Sequence, residues 1–358
     1  MPYGLGQQND VSIEDISNID KASDFGIDAK LGLTSSLTLD MTFNTDFAQV
    51  EVDEQQINLD RYSLFFPEKR TFFLENAGLF SVGENTYYGP DIEIFFSRKI
   101  GIGAGGAQVP ILGGGRLTGT LAGMKVGMLS MRTKAVEDVT NSNNYSVFRL
   151  KKELPNRTSF GFIATDRTGL EDDGYTNRAY AIDGTLGIGE STQLIGFAAK
   201  TDPPPGIDDD AGSYAYMLEA NRNTQAFTTQ IRYSEVGQDF NPEIGYVKRL
   251  GYKKVLFRIL NRTRPKDLFG LLEIRPHITY YSYWKLDGFQ ETGYLHIDSH
   301  WEFRNGFRID TGINFRTEGV SEAFEIVEGT IVPKGTFNNK EIHIRTNTNL
   351  TKPLSVTM

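Results

Sequence analysis

Segment after segment of this chain alternates apolar and polar residues with a period of two. That pattern constrains its fold more than any other feature. In "FRIDTGINF" (307–315), Phe307, Ile309, Thr311, Ile313 and Phe315 share one side, and Arg308, Asp310, Gly312 and Asn314 share the other. "EIHIRTNTNL" (341–350) sets Ile342, Ile344 and Leu350 against His343, Arg345 and Asn347. "GYLHIDSHWEF" (293–303) separates Leu295, Ile297, Trp301 and Phe303 from His296, Asp298, His300 and Glu302. "QAFTTQIRY" (225–233) does the same with Phe227, Ile231 and Tyr233 against Gln230 and Arg232. Successive side chains of a strand point to opposite faces, whereas a helix repeats every 3.6 residues, so these segments read as strands.

The connections have a rhythm of their own. Short turns are expected at 122–125, 155–157, 189–191, 221–223, 264–267 and 304–306. Longer polar stretches fall between them, at 133–145, 166–176, 201–213, 234–253, 284–291 and 317–340. Alternating short and long connections are the habit of an outer-membrane barrel, with its short periplasmic turns and long outer loops. The segments number about sixteen, each of roughly seven to twelve residues, a length that suits a tilted bilayer crossing. A soluble closed barrel turns its apolar face inward. About sixteen strands would then enclose more volume than those side chains fill, so the apolar face is assigned to lipid and the polar face to a wet lumen.

The predicted fold is therefore all-β, an antiparallel up-and-down transmembrane β-barrel with a less regular N-terminal segment. Residues 1–25 read as a linker from an upstream domain. Residues 26–358 read as the barrel, incomplete at its C-terminal end. Composition agrees in what it excludes. Mean hydropathy is −0.35 and no run approaches the length of a spanning helix, which excludes a helical membrane protein but not a barrel. A net charge of −9 argues against nucleic acid as a partner. The lack of cysteine excludes disulfides and thiolate metal sites.

"FFPEKRTFFLENAGLF" (65–80) breaks the pattern. Pro67 cannot continue a central ladder. Glu68, Lys69 and Arg70 then make a charged corner flanked by Phe65, Phe66, Phe72 and Phe73. Arg70 is expected to pair with Glu68 or Glu75, an exposed pair worth about 0–1 kcal/mol. Two placements are open. Residues 44–80 fold into the lumen or across its rim as a constriction, with Lys69 or Arg70 near Asp298, Asp310 or Glu302; or they are two more wall strands and a turn. The candidate lumen and constriction residues are Glu68, Lys69, Arg70, Glu75, His296, Asp298, His300, Arg308 and Asp310.

Three other motifs are set aside. "GIGAGG" (101–106) has dinucleotide-loop spacing, but Pro110 and further glycines follow where a helix is needed, so it reads as a glycine-rich loop. "PPPGIDDDAG" (203–212) offers three aspartates without calcium-loop order and reads as a solvated acidic loop. His277, His296 and His300 invite a metal reading. His296 and His300, four apart on a strand, lie about 13 Å apart along it, too far to share one ion, so they read as lumen side chains hydrogen-bonded to Asp298, Glu302 or water. No metal, no cofactor and no catalytic residue is assigned.

"GLTSSLTLDMTFNTDFAQVEVDEQQINL", "FFPEKRTFFLENAGLF", "FFSRKIG" and "DFNPEIGYVKR" together resemble an uncharacterised bacterial family over most of residues 20–255. That family is an outer-membrane barrel domain that follows a domain similar to the family 9 carbohydrate-binding modules. Thr71 stands where the family more often has proline. The resemblance implies a Gram-negative outer membrane, lipid as a partner, and a pore or plugged barrel coupled to carbohydrate binding or transport. The alternative is an envelope enzyme of glycoside hydrolase type. It would need two carboxylates roughly 5–10 Å apart, and no such pair stands out in the sequence.

Overall fold

The computed structural model describes residues 2–10, 19–44, 62, 64–83, 90–103, 106–171, 174–205, 212–266, 268–327 and 329–358, with backbone alone for 2–10 and 19–25. Twenty strands follow in chain order. They are β1 (Pro2–Asp10), β2 (Ile19–Thr34), β3 (Leu37–Phe43), β4 (Ile92–Glu93), β5 (Ile111–Leu121), β6 (Met124–Thr133), β7 (Asn143–Leu154), β8 (Thr158–Gly169), β9 (Thr176–Ile188) and β10 (Thr192–Asp202). Then come β11 (Tyr214–Asn223), β12 (Phe227–Val236), β13 (Tyr246–Val247), β14 (Tyr252–Asn261), β15 (Leu271–Lys285), β16 (Gln290–Phe303), β17 (Arg308–Val320), β18 (Phe324–Val327), β19 (Thr330–Val332) and β20 (Gly335–Asn347).

Sixteen of these make one antiparallel sheet, in the order β1-β2-β3-β5-β6-β7-β8-β9-β10-β11-β12-β14-β15-β16-β17-β20. Strand order follows chain order throughout, so the sheet is an up-and-down meander. Among the described residues β1 and β20 are its two edges, with no pairing between them. The turns β5–β6, β7–β8, β9–β10, β11–β12, β14–β15 and β16–β17 necessarily fall at one end of an antiparallel ladder, and the other connections at the opposite end.

Four boundaries differ from the sequence reading. Residues 1–25, expected as a linker, hold β1 and the start of β2, paired from Pro2↔Ile27 to Asp10↔Ile19. The turn expected at 221–223 lies at 224–226, because the short polar residues Asn221 and Asn223 continue the ladder opposite Gln230 and Thr228. Thr224 then closes the turn onto the backbone of Phe227. The loop expected at 284–291 shrinks to Leu286–Phe289, where the Asp287 carboxylate accepts the Phe289 amide. In 317–340 the ladder runs on to Val320, and the connection carries the β18–β19 hairpin. The aspartates of 208–210 lie outside the described residues, as does 45–61.

The two faces of the sheet have opposite character. One face is open. It carries Phe160, Ile182, Leu218, Ile231, Ile297, Ile313 and Ile342, all exposed, with Ile182 62% and Ile342 75% accessible. Leu295, Phe307 and Ile309 are half-buried in the same alternation. The other face is covered. It holds Arg116, Arg149, Glu219, Arg232, Lys254, His277, Asp298 and Asp310, all buried. A soluble sheet buries its apolar face and wets its polar one; here apolar side chains line the open face, and the covered face carries these charged groups beside an apolar patch of Leu129, Met131, Val147 and Ile163.

Residues 64–83 and 90–100 account for part of that cover. They hold a one-turn helix α1 (Thr71–Leu74), the 3-10 turns Ala77–Phe80 and Ser97–Lys99, and the short β4, and none of them joins the sixteen-stranded sheet. Phe73, Phe80, Ile94 and Ile100 pack with Phe240 and Ile244 against Leu129, Met131, Val147 and Ile163 of the sheet. The sheet presents Ala179, Ala181, Ala199 and Ala215 to the same cluster, and those small side chains leave room for a second layer. Around "GIGAGG" Ile102 is bridged to Gln108, and β5 follows from Ile111 where a dinucleotide motif would need a helix.

Candidate functional site

Three sequence motifs that lie far apart in the chain meet on the covered face. Phe65, from the first, stacks on Phe96 of "FFSRKIG" at 5.1 Å, and Tyr246 of "DFNPEIGYVKR" meets Phe65 edge-on at 5.1 Å. The Phe96 amide donates to Ile244 O at 2.7 Å, and β4 pairs with β13 through Glu93↔Tyr246 and Ile92↔Val247. The connection expected as a long polar loop at 234–253 thus turns onto the covered face and joins residues 64–83 and 90–100 in one second layer, here the plug.

The charged corner locks the plug to itself. The Arg70 guanidinium donates Nε to Glu68 Oε1 at 2.8 Å and Nη2 to Glu68 Oε2 at 2.7 Å. It also donates to the carbonyls of Ile100 at 2.7 Å and Ser97 at 2.8 Å, and lies 4.2 Å above the Phe73 ring. Ser97 Oγ donates to the same carboxylate. Burial pushes the Glu68 carboxyl up, but its bonds from Arg70 and Ser97 outweigh that and hold it below the usual range. The pair is buried, with Arg70 3% accessible, so the sequence expectation of a weak exposed pair is corrected. Arg70 does not reach Asp298, Asp310 or Glu302; its carboxylate partner is Glu68. Lys69 is exposed.

The sheet's own arginines hold the plug backbone. Arg116 of β5 pairs with Asp40 of β3 at 2.8 Å and with Glu75 at 3.4 Å, and donates to the carbonyls of Phe72 and Glu75. Lys30 also reaches Glu75. Arg149 of β7 binds Asp183 of β9 through both terminal nitrogens, and donates to Leu79 O and Ser81 O at 3.1 Å each. This pair crosses over β8 at Gly161, where an added Cβ would lie 2.6 Å from Arg149 and 2.8 Å from Asp183. Lys254 and Tyr283 converge on Asp91 beside the plug's last strand. A cavity of about 320 Å³ remains between plug and sheet, lined by Phe73, Phe80, Asp91, Glu93, Arg232 and Tyr252 among others. Burial raises the Glu93 carboxyl to about 7.

A second cluster lies toward the β20 edge. The chain has four histidines, and all four gather around Asp298. His277 stands opposite Asp298 across β15–β16. His296 and His300 flank Asp298 on β16, each with Nε2 3.5 Å from Asp298 Oδ2. His343 of β20 reaches the same oxygen at 3.2 Å by passing over β17 at Gly312, where a Cβ would lie 2.2 Å from its ring. The Nε2 atoms of His277 and His296 are 3.0 Å apart. Arg308 pairs with Asp310 at 2.7 Å and approaches His300 Nδ1 at 3.1 Å. His277, Asp298 and His300 bring ligand-capable atoms within 4.8 Å of one another. The sequence argument placed His296 and His300 too far apart along the strand to share one ion; both rings lean onto one carboxylate oxygen. His277 was weighed in the sequence only as a metal candidate and His343 not at all, because strand pairing, which brings them to Asp298, has no local signal.

Residues 1–109 match the family described as Domain of unknown function (DUF5916). The match ends before β5 and is shorter than the 20–255 span over which the motifs show their resemblance. No curated protein matches the chain.

Proposed function

We propose that this chain is the wall and internal plug of an outer-membrane β-barrel in a Gram-negative envelope. The observation that carries the reading is the apolar character of the sheet's open face. Isoleucines and phenylalanines are exposed on the open face of strand after strand, while arginines, carboxylates and histidines are buried on the covered face. Exposed apolar area repeated over that many strands has a partner in hydrocarbon, which needs no polar contact. A barrel of about sixteen strands encloses an aqueous channel unless something fills it. The 64–100 segment, held by Arg116 and Arg149, supplies that filling. The resting state is then a closed or narrowed pore, and the carbohydrate link implied by the motif resemblance makes a glycan the proposed passenger.

Trp301 alternates with Ile297 on the open face of β16, which gives a direct test. In vesicles whose acyl chains carry bromine, its fluorescence is quenched, and the folded protein migrates differently on a gel before and after boiling. Fluorescence indifferent to bromine, in protein that stays dispersed without detergent, would return the sheet to a soluble fold.

A further inference from the structure

The histidine cluster holds an unmet demand for a cation. His296 Nδ1 lies 2.6 Å from Asn314 Oδ1. The Asn314 amide is oriented by its Nδ2 donating to Glu341 at 3.2 Å and by Tyr294 OH donating to Oδ1 at 3.1 Å. An amide oxygen only accepts, so His296 carries its proton on Nδ1 and presents a bare Nε2. His277 Nδ1 lies 3.4 Å from the Arg275 carbonyl, and its Nε2 lies 3.0 Å from the bare Nε2 of His296, to which it donates in the absence of an ion. Beside them, Asp298 Oδ1 is buried with no hydrogen-bond partner among the described residues. Its Oδ2 has only imidazole nitrogens around it, at 3.2–3.5 Å.

The 3.5 Å spacings of His296 and His300 from Asp298 Oδ2 are long for direct bonds and fit a shared ion. Bonds of about 2.0–2.1 Å from a tetrahedral zinc ion place neighbouring ligand atoms about 3.3–3.4 Å apart. Imidazole orientation fixed from behind by an amide or a carbonyl is the usual support for a metal-binding histidine.

We propose that His277, Asp298 and His300 bind a divalent transition-metal ion of the zinc class, with His296 as the fourth donor. Imidazole and carboxylate without thiolate suit zinc, nickel, cobalt or copper rather than calcium or magnesium. In the metal-free state Arg308 donates to His300 Nδ1, so the ring's single proton is on Nε2. Binding at Nε2 shifts that same proton, through water, to Nδ1, where Asp310 Oδ1 stands 3.8 Å away to accept its hydrogen bond as Arg308 withdraws to its pair with Asp310. His343 stays outside the ligand set and donates from Nε2 to Asp298 Oδ2. The ion would tie β15 to β16 near the sheet's last strands.

The test is calorimetric titration of chelator-stripped, tag-free protein with zinc chloride alone, and with calcium chloride as the hard-cation control. One zinc per chain and no calcium response are expected, and cobalt should give the visible absorption of a tetrahedral site. His277→Ala and His300→Ala should each weaken zinc at least roughly tenfold, the loss typical even of a supporting residue. Heat-shifted gel mobility reports whether each variant is folded. Absence of stoichiometric zinc binding overturns the proposal, as does wild-type affinity in either folded variant.

Discussion

Arg149→Ala is the most informative single change to the plug. The side chain is fully buried, binds Asp183 and holds the carbonyls of Leu79 and Ser81. Two losses must be separated. Removing one partner of a buried ion pair costs about 3–5 kcal/mol. That cost falls mainly on the wall, because Arg149 and Asp183 belong to β7 and β9 and pair across β8 whether or not the plug is seated. Only the two carbonyl bonds weaken seating. Bonds from a charged donor contribute about 1.5–3 kcal/mol each; with water replacing part of that, a loss of about 3 kcal/mol is reasonable. At about 1.4 kcal/mol per factor of ten, the unseated population rises roughly a hundredfold. Amide exchange reads this directly, since the Leu74, Glu75 and Leu79 amides are bonded inside the plug. Their exchange should accelerate by about that factor. In Arg149→Ala/Asp183→Ala the wall should recover stability while the plug amides stay fast. Unchanged exchange at Leu79 in a variant whose melting temperature has fallen would refute the reasoning, because the arginine would then support the wall alone.

Two further outcomes follow from the same geometry. Ile313→Lys on the open face should cost about 2–4 kcal/mol when refolding into bilayers if Ile313 lies near mid-membrane, measured by urea titration in vesicles; a neutral result there would remove Ile313 from the lipid face. Glu93 gives a pH dependence. Its carboxyl is raised in the folded state from 4.5 to about 7 by burial, so the seated plug binds a proton that the released one has lost. Seating is fully favoured below the unfolded value, weakens as pH rises through about 7, and loses at most about 3 kcal/mol, less what water returns to a half-buried group. Protease resistance of 64–100 should therefore fall between about pH 5 and about pH 8, and Glu93→Gln should flatten that change.

The meander was legible because it rests on local rules. Period-two alternation in 293–303 and 307–315 fixed both strands and the division of their faces, and Ile297 and Ile313 are exposed as that division requires. Turn ends were less legible, since Asn221 and Asn223 look like turn residues yet their backbones pair. The plug was visible only as an anomaly. Nothing near Arg70 in sequence announces Ile100 and Ser97 as its partners, and nothing near Arg149 announces Leu79. The histidine cluster was hidden by the same cause. His277 and His343 are 66 positions apart in sequence, and only the pairing of β15 with β16, and a glycine on β17, brings both to Asp298.

The account's central claim is that 64–100 fills a lumen enclosed by the sheet. Single-channel conductance in planar bilayers tests it most directly, comparing the protein with a variant lacking 66–76. That deletion removes Arg70, α1 and the Phe72–Phe73 contact, while leaving every strand of the sheet. The account predicts small or absent unitary currents in the intact protein and a conductance several-fold larger in the deletion. Equal conductance, in a deletion protein that keeps its heat-shifted mobility, would contradict it.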